Sequence, residues 1–478
     1  MTKNHRPHRT IRSFQLLLGV LVSLFHVCAN DAKADPIDRF IRSEMEREQI
    51  PGVAIAVVKH GKIVKAEGYG FANIEHSVPV IPETVFQSAS VGKQFTAAGV
   101  LLLAEEGKLG LDDPISRYLT TAPPTWQGIT IRHLLNHTSG IPNYDTQKGV
   151  NLRQDYTEEE LVALAAGLKL DFAPGSDWNY SNTGYILLGV IVHRVTGKFY
   201  GDFFQERIFK PLGMTSTRVI NETNIIPHRA AGYELIGGEV KNQAWVSPSL
   251  NTTADGSLYF TVLDVAKWDA ALYTDTPLAA QIRGQMWTPA KFGNGATTSL
   301  KMSGASYGFG WGLDTVAGHR VVQHGGHWQG FKTHIARFLD DGLTVILLCN
   351  FAQADPTALA HGVARRSLPA LKGRAIVNPD PAFGAQVADV LRSAAAGSLN
   401  PEWFTDEARM EQVTAWNKDF SRRLKNTGSV VRLELLEIKA QDGVTRLIYR
   451  AKGERETLRL TLLLNAARKI STLKLATE

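Results

Sequence analysis

Apolar segments at two distant places in the chain most strongly constrain its fold. Residues 52–58 form an almost unbroken apolar run, and His60-Gly61 can turn the chain into a neighbouring strand. Strand-like segments return over about 309–350, with a turn at Asp340-Asp341-Gly342, whereas about 130–275 has mainly helical patterns. Strands at both ends and helices in the middle predict an α/β sandwich. Its antiparallel sheet is built from N- and C-terminal strands and packs beside a helical insert.

A helix is predicted over residues 93–107, directly after the strand-like segment Thr84 to Gln87. Between residues 97 and 104 this helix is apolar on all sides, which is typical of a helix buried inside a domain. Ser90 falls at its first turn and Lys93 one turn further on the same face, so their side chains can touch.

The chain is too long for an ordinary single domain, and its composition changes after residue 381. Residues 375–381 are rich in Pro, Asn and Asp and are predicted to be a linker. We therefore expect a main domain over residues 35–374 and a small α+β domain over 382–478. The small domain has no cluster of His, Cys and carboxylates, so binding or packing is expected of it rather than catalysis.

Residues 1–34 have the pattern of an export signal. Basic residues precede an apolar stretch from Phe14 to Val27, and Ala32-Lys33-Ala34 is a small-x-small cleavage site. A membrane span is disfavoured because the stretch is short and contains His26. A lipid anchor on Cys28 is a second alternative, although Val27 is bulky for such a signal. We expect an exported protein, periplasmic or extracellular, without a stable membrane span after cleavage.

Charge and cysteine content exclude several functions. The first 34 residues contribute +4 of the formal net charge of +6, so the remaining chain has no strongly basic character and no nucleic-acid-binding motif. After cleavage only Cys349 remains, which excludes an intramolecular disulfide and a thiolate metal cluster. Its apolar surroundings predict a buried, inert thiol. No pattern indicates an oligomeric state.

Ser90-Val91-Gly92-Lys93 is the first candidate for chemistry. A serine hydroxyl becomes a good nucleophile when a neighbouring base takes its proton, and Lys93 can be that base if burial lowers its pKa. Backbone N–H groups at the helix start favour the anionic intermediate of acyl transfer. A Ser three residues before a Lys is nevertheless expected about once by chance in such a chain.

Two further motifs follow in the chain. Tyr180-Ser181-Asn182 ends a turn-rich loop before a helix, where Tyr180 can relay protons and Asn182 can bind Lys93 and a substrate amide. The alternative is a packed Tyr and a helix-capping Asn.

The third motif, His324-Gly325-Gly326-His327, ends one strand and precedes another. Gly325 and Gly326 can let a substrate backbone approach the strand edge, and the His327 N–H can complete an oxyanion hole with that of Ser90. The alternative is a hairpin turn with an incidental histidine. A metal site is disfavoured because His324 and His327 lack a third ligand at a suitable spacing.

Together these motifs resemble those of the beta-lactamase-related serine hydrolases, which include class C beta-lactamases, DD-peptidases, D-aminopeptidases and esterases. The resemblance covers about residues 36–370 and includes Ala89 to Thr96, His133 to Pro142 and Tyr180 to Tyr185. It implies a beta-lactamase/transpeptidase-like sandwich and catalysis by a covalent acyl-enzyme, with no metal or organic cofactor. The turn from His137 to Pro142 is interpreted as structural.

The resemblance also implies roles for the individual residues. Ser90 is the expected nucleophile, Lys93 its base and Tyr180 the proton shuttle, while Asn182, His324, Gly325 and Gly326 are expected to bind or orient the substrate. The family's beta-lactamases and DD-peptidases have lysine where this chain has His324, and a neutral imidazole attracts a carboxylate less strongly.

This departure favours esters or small D-configured peptides over beta-lactams as substrates. Beta-lactamase or DD-carboxypeptidase activity, or a slowly deacylating penicillin-binding sensor, remains an alternative. A structural protein with a vestigial pocket is disfavoured because no motif residue is lost.

Overall fold

The structure is a computed structural model that describes residues 35–144, 151–293, 295, 305–441 and 443–478. The predicted export signal and Cys28 lie outside the described residues. Among the helices that are described, none combines the length and the apolar character that crossing a membrane requires.

The strands of the described residues are numbered in chain order. They are β1 Gly52–Lys59, β2 Lys62–Asn73, β3 Val78–Pro79, β4 Phe86–Gln87, β5 Arg218–Val219, β6 Tyr233–Ile236, β7 Glu239–Asn242, β8 Leu258–Phe260, β9 Ser306–Tyr307, β10 Gly312–Val316, β11 His319–Trp328, β12 Phe331–Phe338, β13 Leu343–Cys349, β14 Val430–Gln441, β15 Val444–Gly453, β16 Thr457–Leu464 and β17 Ile470–Thr477.

The α-helices of the same residues are numbered likewise. They are α1 Pro36–Glu48, α2 Lys93–Glu105, α3 Ile131–Leu135, α4 Glu158–Ala166, α5 Asn182–Thr196, α6 Tyr200–Phe204, α7 Val262–Ala271, α8 Ala280–Met286, α9 Pro356–Ser367, α10 Pro381–Ala395, α11 Asp406–Glu411 and α12 Val413–Thr427.

An eight-stranded sheet forms the centre of the main domain, in the order β3-β2-β1-β13-β12-β11-β10-β9. The N-terminal strand β1 lies between β2 and β13 and pairs antiparallel with both, with Ala56 opposite Ile346 on β13. The predicted sheet of N- and C-terminal strands is therefore confirmed. Cys349, at the end of β13, is buried, and burial raises the pKa of its thiol.

Both faces of this sheet are buried, and alternate residues of β1 belong to different cores. Ala54 and Ala56 face the core that contains α2, α5 and α7, whereas Val53 and Ile55 face the core made with α1 and α9. Because successive side chains of a strand point to opposite faces, a strand covered on both sides reads as a continuous apolar run. This explains the run at residues 52–58.

Helix α2 is the buried helix expected from the sequence. Every side chain from Lys93 to Leu103 is buried, and Phe95 packs against Phe209 and Trp268. Helix α5, within the region of mainly helical patterns, ends at Thr196. Gly197 follows in the left-handed conformation (φ 70°), which glycine adopts without steric cost and which ends helices.

The C-terminal part forms a four-stranded antiparallel sheet in the order β14-β15-β16-β17. Its core side chains pack against α10 and α12. It contacts the main domain through Asp314 on β10, whose carboxylate pairs with Lys439 and Arg446 of the C-terminal sheet. The α+β composition expected of this region is present, and the domain boundary at residues 375–381 stays a prediction.

Candidate active site

Ser90 lies in a tight turn between strand β4 and helix α2. The turn is a 3-10 helix over Ala89–Gly92, and Ala89 has a left-handed backbone (φ 46°) that is costly for a residue with a side chain. Neighbouring groups hold it in place: Ser88 Oγ donates to the Gly256 carbonyl (2.6 Å), and Thr333 Oγ1 donates to the Ser88 carbonyl (2.7 Å). The position of Ser90 is therefore fixed by contacts on both sides of the turn.

The Lys93 side chain contacts three segments of the chain, at residues 90, 182 and 255. Its side chain is fully buried, and Nζ lies 3.2 Å from Ser90 Oγ and 2.6 Å from Asn182 Oδ1. Nζ also donates to the Asp255 carbonyl. As an ammonium group Lys93 can donate to all three oxygens, whereas as a neutral amine it can donate to Asn182 and Asp255 and direct its lone pair to Ser90 Oγ. The amine is held beside the serine hydroxyl, within reach of its proton.

Tyr180 and Asn182 are positioned by the start of helix α5. Ser181 caps the helix by accepting from the Gly184 N–H, and the Asn182 N–H donates to Asn143 Oδ1 (2.6 Å). The centroid of the Tyr180 ring lies 5.0 Å from Lys93 Nζ. The structure thus brings together four residues that the sequence singled out: Ser90, Lys93, Tyr180 and Asn182.

His327 lies on the opposite side of the same cleft, near the end of β11. Ser90, Asn182 and His327 all line one small cavity, whose wall also includes Tyr144 and Trp328. Trp328 is held there by a hydrogen bond from Nε1 to Asn251 Oδ1 (2.7 Å). A substrate carbonyl next to Ser90 Oγ would therefore lie between the helix start and the end of β11.

The two glycines of β11 differ in their surroundings. A Cβ on Gly326 would lie 2.7 Å from the Ser88 carbonyl oxygen and 2.9 Å from Ala89 Cβ, closer than a real Cβ approaches other atoms. The nearest atom to a Cβ on Gly325 would be His334 Nδ1 at 3.5 Å, an ordinary contact. The absence of a Cβ at Gly326 lets the nucleophile turn pack directly on β11. That both glycines let a substrate approach the strand edge stays a prediction.

His324 is buried, and both of its ring nitrogens are engaged within the protein. Nδ1 donates to the Gly325 carbonyl (2.6 Å), so Nε2 is the acceptor for the Tyr307 hydroxyl at 2.9 Å. Burial, and then the positive charge of Lys93, lower the pKa of His324 to about 3. His324 is therefore neutral at pH 7. The predicted substrate contact of His324 stays a prediction; the residue lines a cavity together with Tyr180 and Tyr307.

His137 supports the site from behind Tyr180. Its ring centroid lies 4.3 Å from that of Tyr180 and 4.7 Å from that of Tyr307, and Nδ1 accepts from the Ser181 N–H (3.2 Å). Burial, followed by the positive charge of Lys93, lowers its pKa well below the usual value. A neutral His137 thus fixes the loop that carries Tyr180, in keeping with the structural interpretation of its turn.

The sequence analysis missed two groups of the site, Asp255-Gly256 and Tyr307. A Cβ on Gly256 (φ 149°) would lie 2.9 Å from the Ser90 nitrogen, so only glycine fits there. An Asp-Gly pair is an ordinary turn signal, and a backbone carbonyl acting on Lys93 has no side-chain signature. Tyr307 begins the aromatic and glycine alternation of residues 307–311, which could have drawn attention to it. In the part of the chain that the structure describes, no cluster of three or more His, Cys, Asp or Glu could hold a metal ion.

The sequence of this chain is similar to those of several known proteins. Residues 37–369 match the Beta-lactamase family. Penicillin-binding protein 4* of Bacillus subtilis (strain 168) is 35% identical over 328 residues, which cover 64% of this chain and 69% of that protein. Protein flp of Staphylococcus aureus (strain N315) is 35% identical over 212 residues, which cover 44% of this chain and 42% of flp.

Solved structures give the same result. The D-amino acid amidase from Ochrobactrum anthropi SV3 complexed with D-phenylalanine is 27% identical with a TM-score of 0.60, and the match covers 71% of this chain and 99% of the amidase. The octameric penicillin-binding protein homologue from Pyrococcus abyssi has a TM-score of 0.64 at 24% identity, covering 92% of this chain and 98% of that one. The second likeness is one of fold.

Proposed function

This chain belongs to the beta-lactamase family and is a serine hydrolase, and we propose that it acts through a covalent acyl-enzyme on Ser90. The observation that carries the proposal is the 3.2 Å contact between Lys93 Nζ and Ser90 Oγ at the start of a buried helix. Asn182 and the Asp255 carbonyl hold the amine in this position. A serine beside a buried amine is the arrangement that nucleophilic acyl transfer requires.

The reaction proceeds in two stages. Lys93 accepts the hydroxyl proton as Ser90 Oγ attacks the substrate carbonyl, and the backbone N–H groups of Ser90 and His327 donate to the resulting oxyanion. The Tyr180 hydroxyl gives its proton to the leaving group as the bond to the carbonyl carbon breaks, and Lys93 passes the serine proton on to Tyr180. Water then attacks the acyl-enzyme carbonyl and gives a proton to Lys93. The bond between Ser90 Oγ and the carbonyl carbon breaks, and Lys93 returns that proton to Ser90 Oγ as the acid leaves.

Esters and small D-configured amides or peptides are the proposed substrates. His324 stands where the family's beta-lactamases have a lysine, and its neutral ring with both nitrogens engaged offers no positive charge to a substrate carboxylate. The likeness to a D-amino acid amidase solved with D-phenylalanine supports a D-configured acyl or amine group.

A second candidate is a penicillin-binding protein or beta-lactamase. The 35% identity to Penicillin-binding protein 4* favours it. The two candidates share the nucleophile and differ in how fast the penicilloyl-enzyme is hydrolysed. We further propose that residues 1–34 export the protein to the periplasm or the extracellular space.

Intact-protein mass spectrometry tests the proposal. The expressed protein is incubated with a fluorophosphonate, a penicillin, a p-nitrophenyl ester and a D-amino acid amide, and turnover of the last three is measured in parallel. We expect a fluorophosphonate adduct on the Ser90 peptide and turnover of the ester and the amide. A long-lived penicilloyl adduct without ester turnover supports the second candidate. The same spectrum reports whether residues 1–34 are removed.

The Ser90→Ala variant should lose the adduct and the activity while keeping its fold by circular dichroism. Ser257, which lines the same cavity, offers a matched control. The Ser257→Ala variant should be labelled as fully as the wild type. Full labelling of Ser90→Ala would overturn the assignment of the nucleophile.

A further inference from the structure

A second cavity lies between the main domain and the C-terminal sheet, on the other side of β10 and α9 from the core of the main domain. Its volume is about 160 Å³, enough for several water molecules of about 30 Å³ each. The main domain contributes Asp314, His361 and Arg365 to the wall, and strands β15, β16 and β17 contribute Arg446, Arg459 and Lys474. Four of these six side chains are lysine or arginine.

Of the carboxylates near this cavity, Asp314 and Glu478 pair with cations, and Asp355 accepts a backbone hydrogen bond. Asp314 pairs with Arg446 (2.6 Å) and with Lys439 (3.2 Å). Asp355, also in the wall, caps helix α9 by accepting from the Ala358 N–H at 3.0 Å. Glu478 pairs with Arg450 and lies 3.7 Å from Arg459. Arg446 and Arg459 therefore have carboxylate partners, whereas Arg365 and Lys474 are the cations of the wall without an ion pair among the described residues.

Arg365 and Lys474 lack a carboxylate within ion-pair distance in the part of the chain that the structure describes. Arg365 is 2% exposed, and its Nη2 donates to the Thr477 carbonyl at 3.2 Å. Its buried Nε has no hydrogen-bond partner among those residues. Burying a donor without an acceptor costs free energy of folding, and an acceptor supplied by a ligand would remove that cost.

The pKa values of Arg365 and His361 are both lowered by burial and by nearby positive charge. Burial, and then repulsion by Arg459, lower the pKa of Arg365 to about 9, so that it remains charged at pH 7. Burial also lowers the pKa of His361, and the nearby arginines lower it further. The positive charges in the wall thus repel one another, and Glu478 opposes that effect at Arg365.

We propose that this cavity binds a small oxyanion, a phosphate or carboxylate group held by Arg365, Arg459 and Lys474. The planar guanidinium groups of arginine match the oxygens of either anion in pairs, and Lys474 adds a point charge at the open side. The anion joins the main domain to the C-terminal sheet because its ligands come from α9, β16 and β17. Nothing in this proposal depends on chemistry at Ser90.

Isothermal titration calorimetry of the full chain tests the proposal, with inorganic phosphate and succinate as separate probes and sodium chloride at matched ionic strength as the reference. We expect phosphate or succinate to bind in a one-to-one ratio with millimolar or better affinity, and chloride to give no saturable heat. The arm that binds more tightly identifies the group. Absence of saturable binding in both arms would overturn the proposal.

Substitution of the exposed Lys474 gives a variant that should fold normally. Lys474→Ser is expected to weaken binding about tenfold, the effect of losing one charged hydrogen bond, and Lys474→Arg should retain it. Lys425→Ser, an exposed lysine of α12 outside the cavity, is the matched control and should bind as the wild type does. Arg365→Gln should abolish binding if the variant folds. Equal affinity of Lys474→Ser and the wild type would contradict the proposal.

Discussion

At the scale of single residues, the candidate site is organised around the amine of Lys93. Its acceptors come from residues 90, 182 and 255, which are far apart in the chain. The first two were predictable because Ser, Lys, Tyr and Asn recur in a recognisable order. The third was not, since any residue has a backbone carbonyl and only the tertiary fold decides which one faces the amine.

Asn182 offers the sharpest test at this scale. Asn182→Ala removes the oxygen that holds Lys93 Nζ at 2.6 Å, so the amine should lose its fixed position beside Ser90. We expect the rate at which a fluorophosphonate labels Ser90 to fall about 10²-fold, the lower end of the rate enhancement that a general base supplies. Stopped-flow or quenched labelling measures this rate directly.

Asn182→Asp serves as the matched control because the aspartate side chain has the same length and keeps an acceptor oxygen. It should retain the position of Lys93 and lose less of the labelling rate than the alanine variant. If Asn182→Ala is labelled as fast as the wild type, the proposed positioning role of Asn182 is wrong.

At the scale of elements, strand β11 is longer than its sequence suggests. The sequence predicted that the motif from His324 to His327 ends a strand, since glycine weakens strands. In the structure β11 continues to Trp328, because β12 pairs with it along the whole motif. Its other neighbour, β10, pairs with β11 only as far as Gln323. Long-range pairing decided the length of this strand, and local propensity could not have done so.

The contact between β11 and the nucleophile turn can be tested at Gly326. Gly326→Ala places a methyl group 2.7 Å from the Ser88 carbonyl oxygen, and a backbone atom cannot rotate away. We expect the free energy of unfolding to fall by about 1–3 kcal/mol, the usual cost of overpacking. Ester hydrolysis should fall as well, because the turn that carries Ser90 must move. Denaturant unfolding and steady-state kinetics measure the two effects.

Gly325→Ala is the matched control on the neighbouring residue. Its added methyl group would make only ordinary van der Waals contacts, the nearest with His334 Nδ1 at 3.5 Å. This variant should unfold within about 0.5 kcal/mol of the wild type, as substitutions without a steric conflict usually do. Equal stability and activity of the two variants would show that β11 does not constrain the turn.

At the scale of the whole molecule, the sequence predicted the architecture well because burial leaves a strong pattern. The apolar runs at 52–58 and 343–349 became adjacent central strands, and the helix that is apolar on all sides became α2. The β-strands at 218–219, 233–242 and 258–260 within the helical region were not predicted. They are two to four residues long, too short for a periodic signal.

Acid should destabilise the folded protein as a whole, because among the described residues His137, His324 and His334 are buried and His361 is half-buried. Burial lowers the pKa of all four, to about 3 for His324 and about 4 for His334. In the unfolded chain histidine titrates near pH 6.5. As the pH falls below about 6.5, the unfolded chain binds protons that the folded protein does not, so the free energy of unfolding decreases.

This stability is fully present above pH 6.5 and is lost towards pH 4, where His334 begins to titrate in the folded protein. Each buried histidine contributes about 1.4 kcal/mol per pH unit, or about 2 kcal/mol between pH 7 and pH 5. Denaturant unfolding at these two pH values measures the loss. His334→Gln keeps polar atoms for Gln323 and Thr357 and removes one titrating group. It should reduce the pH dependence by about 2 kcal/mol, whereas the exposed His76→Gln serves as the control. If His334→Gln shows the same pH dependence as the wild type, a neutral buried His334 does not contribute to the acid sensitivity.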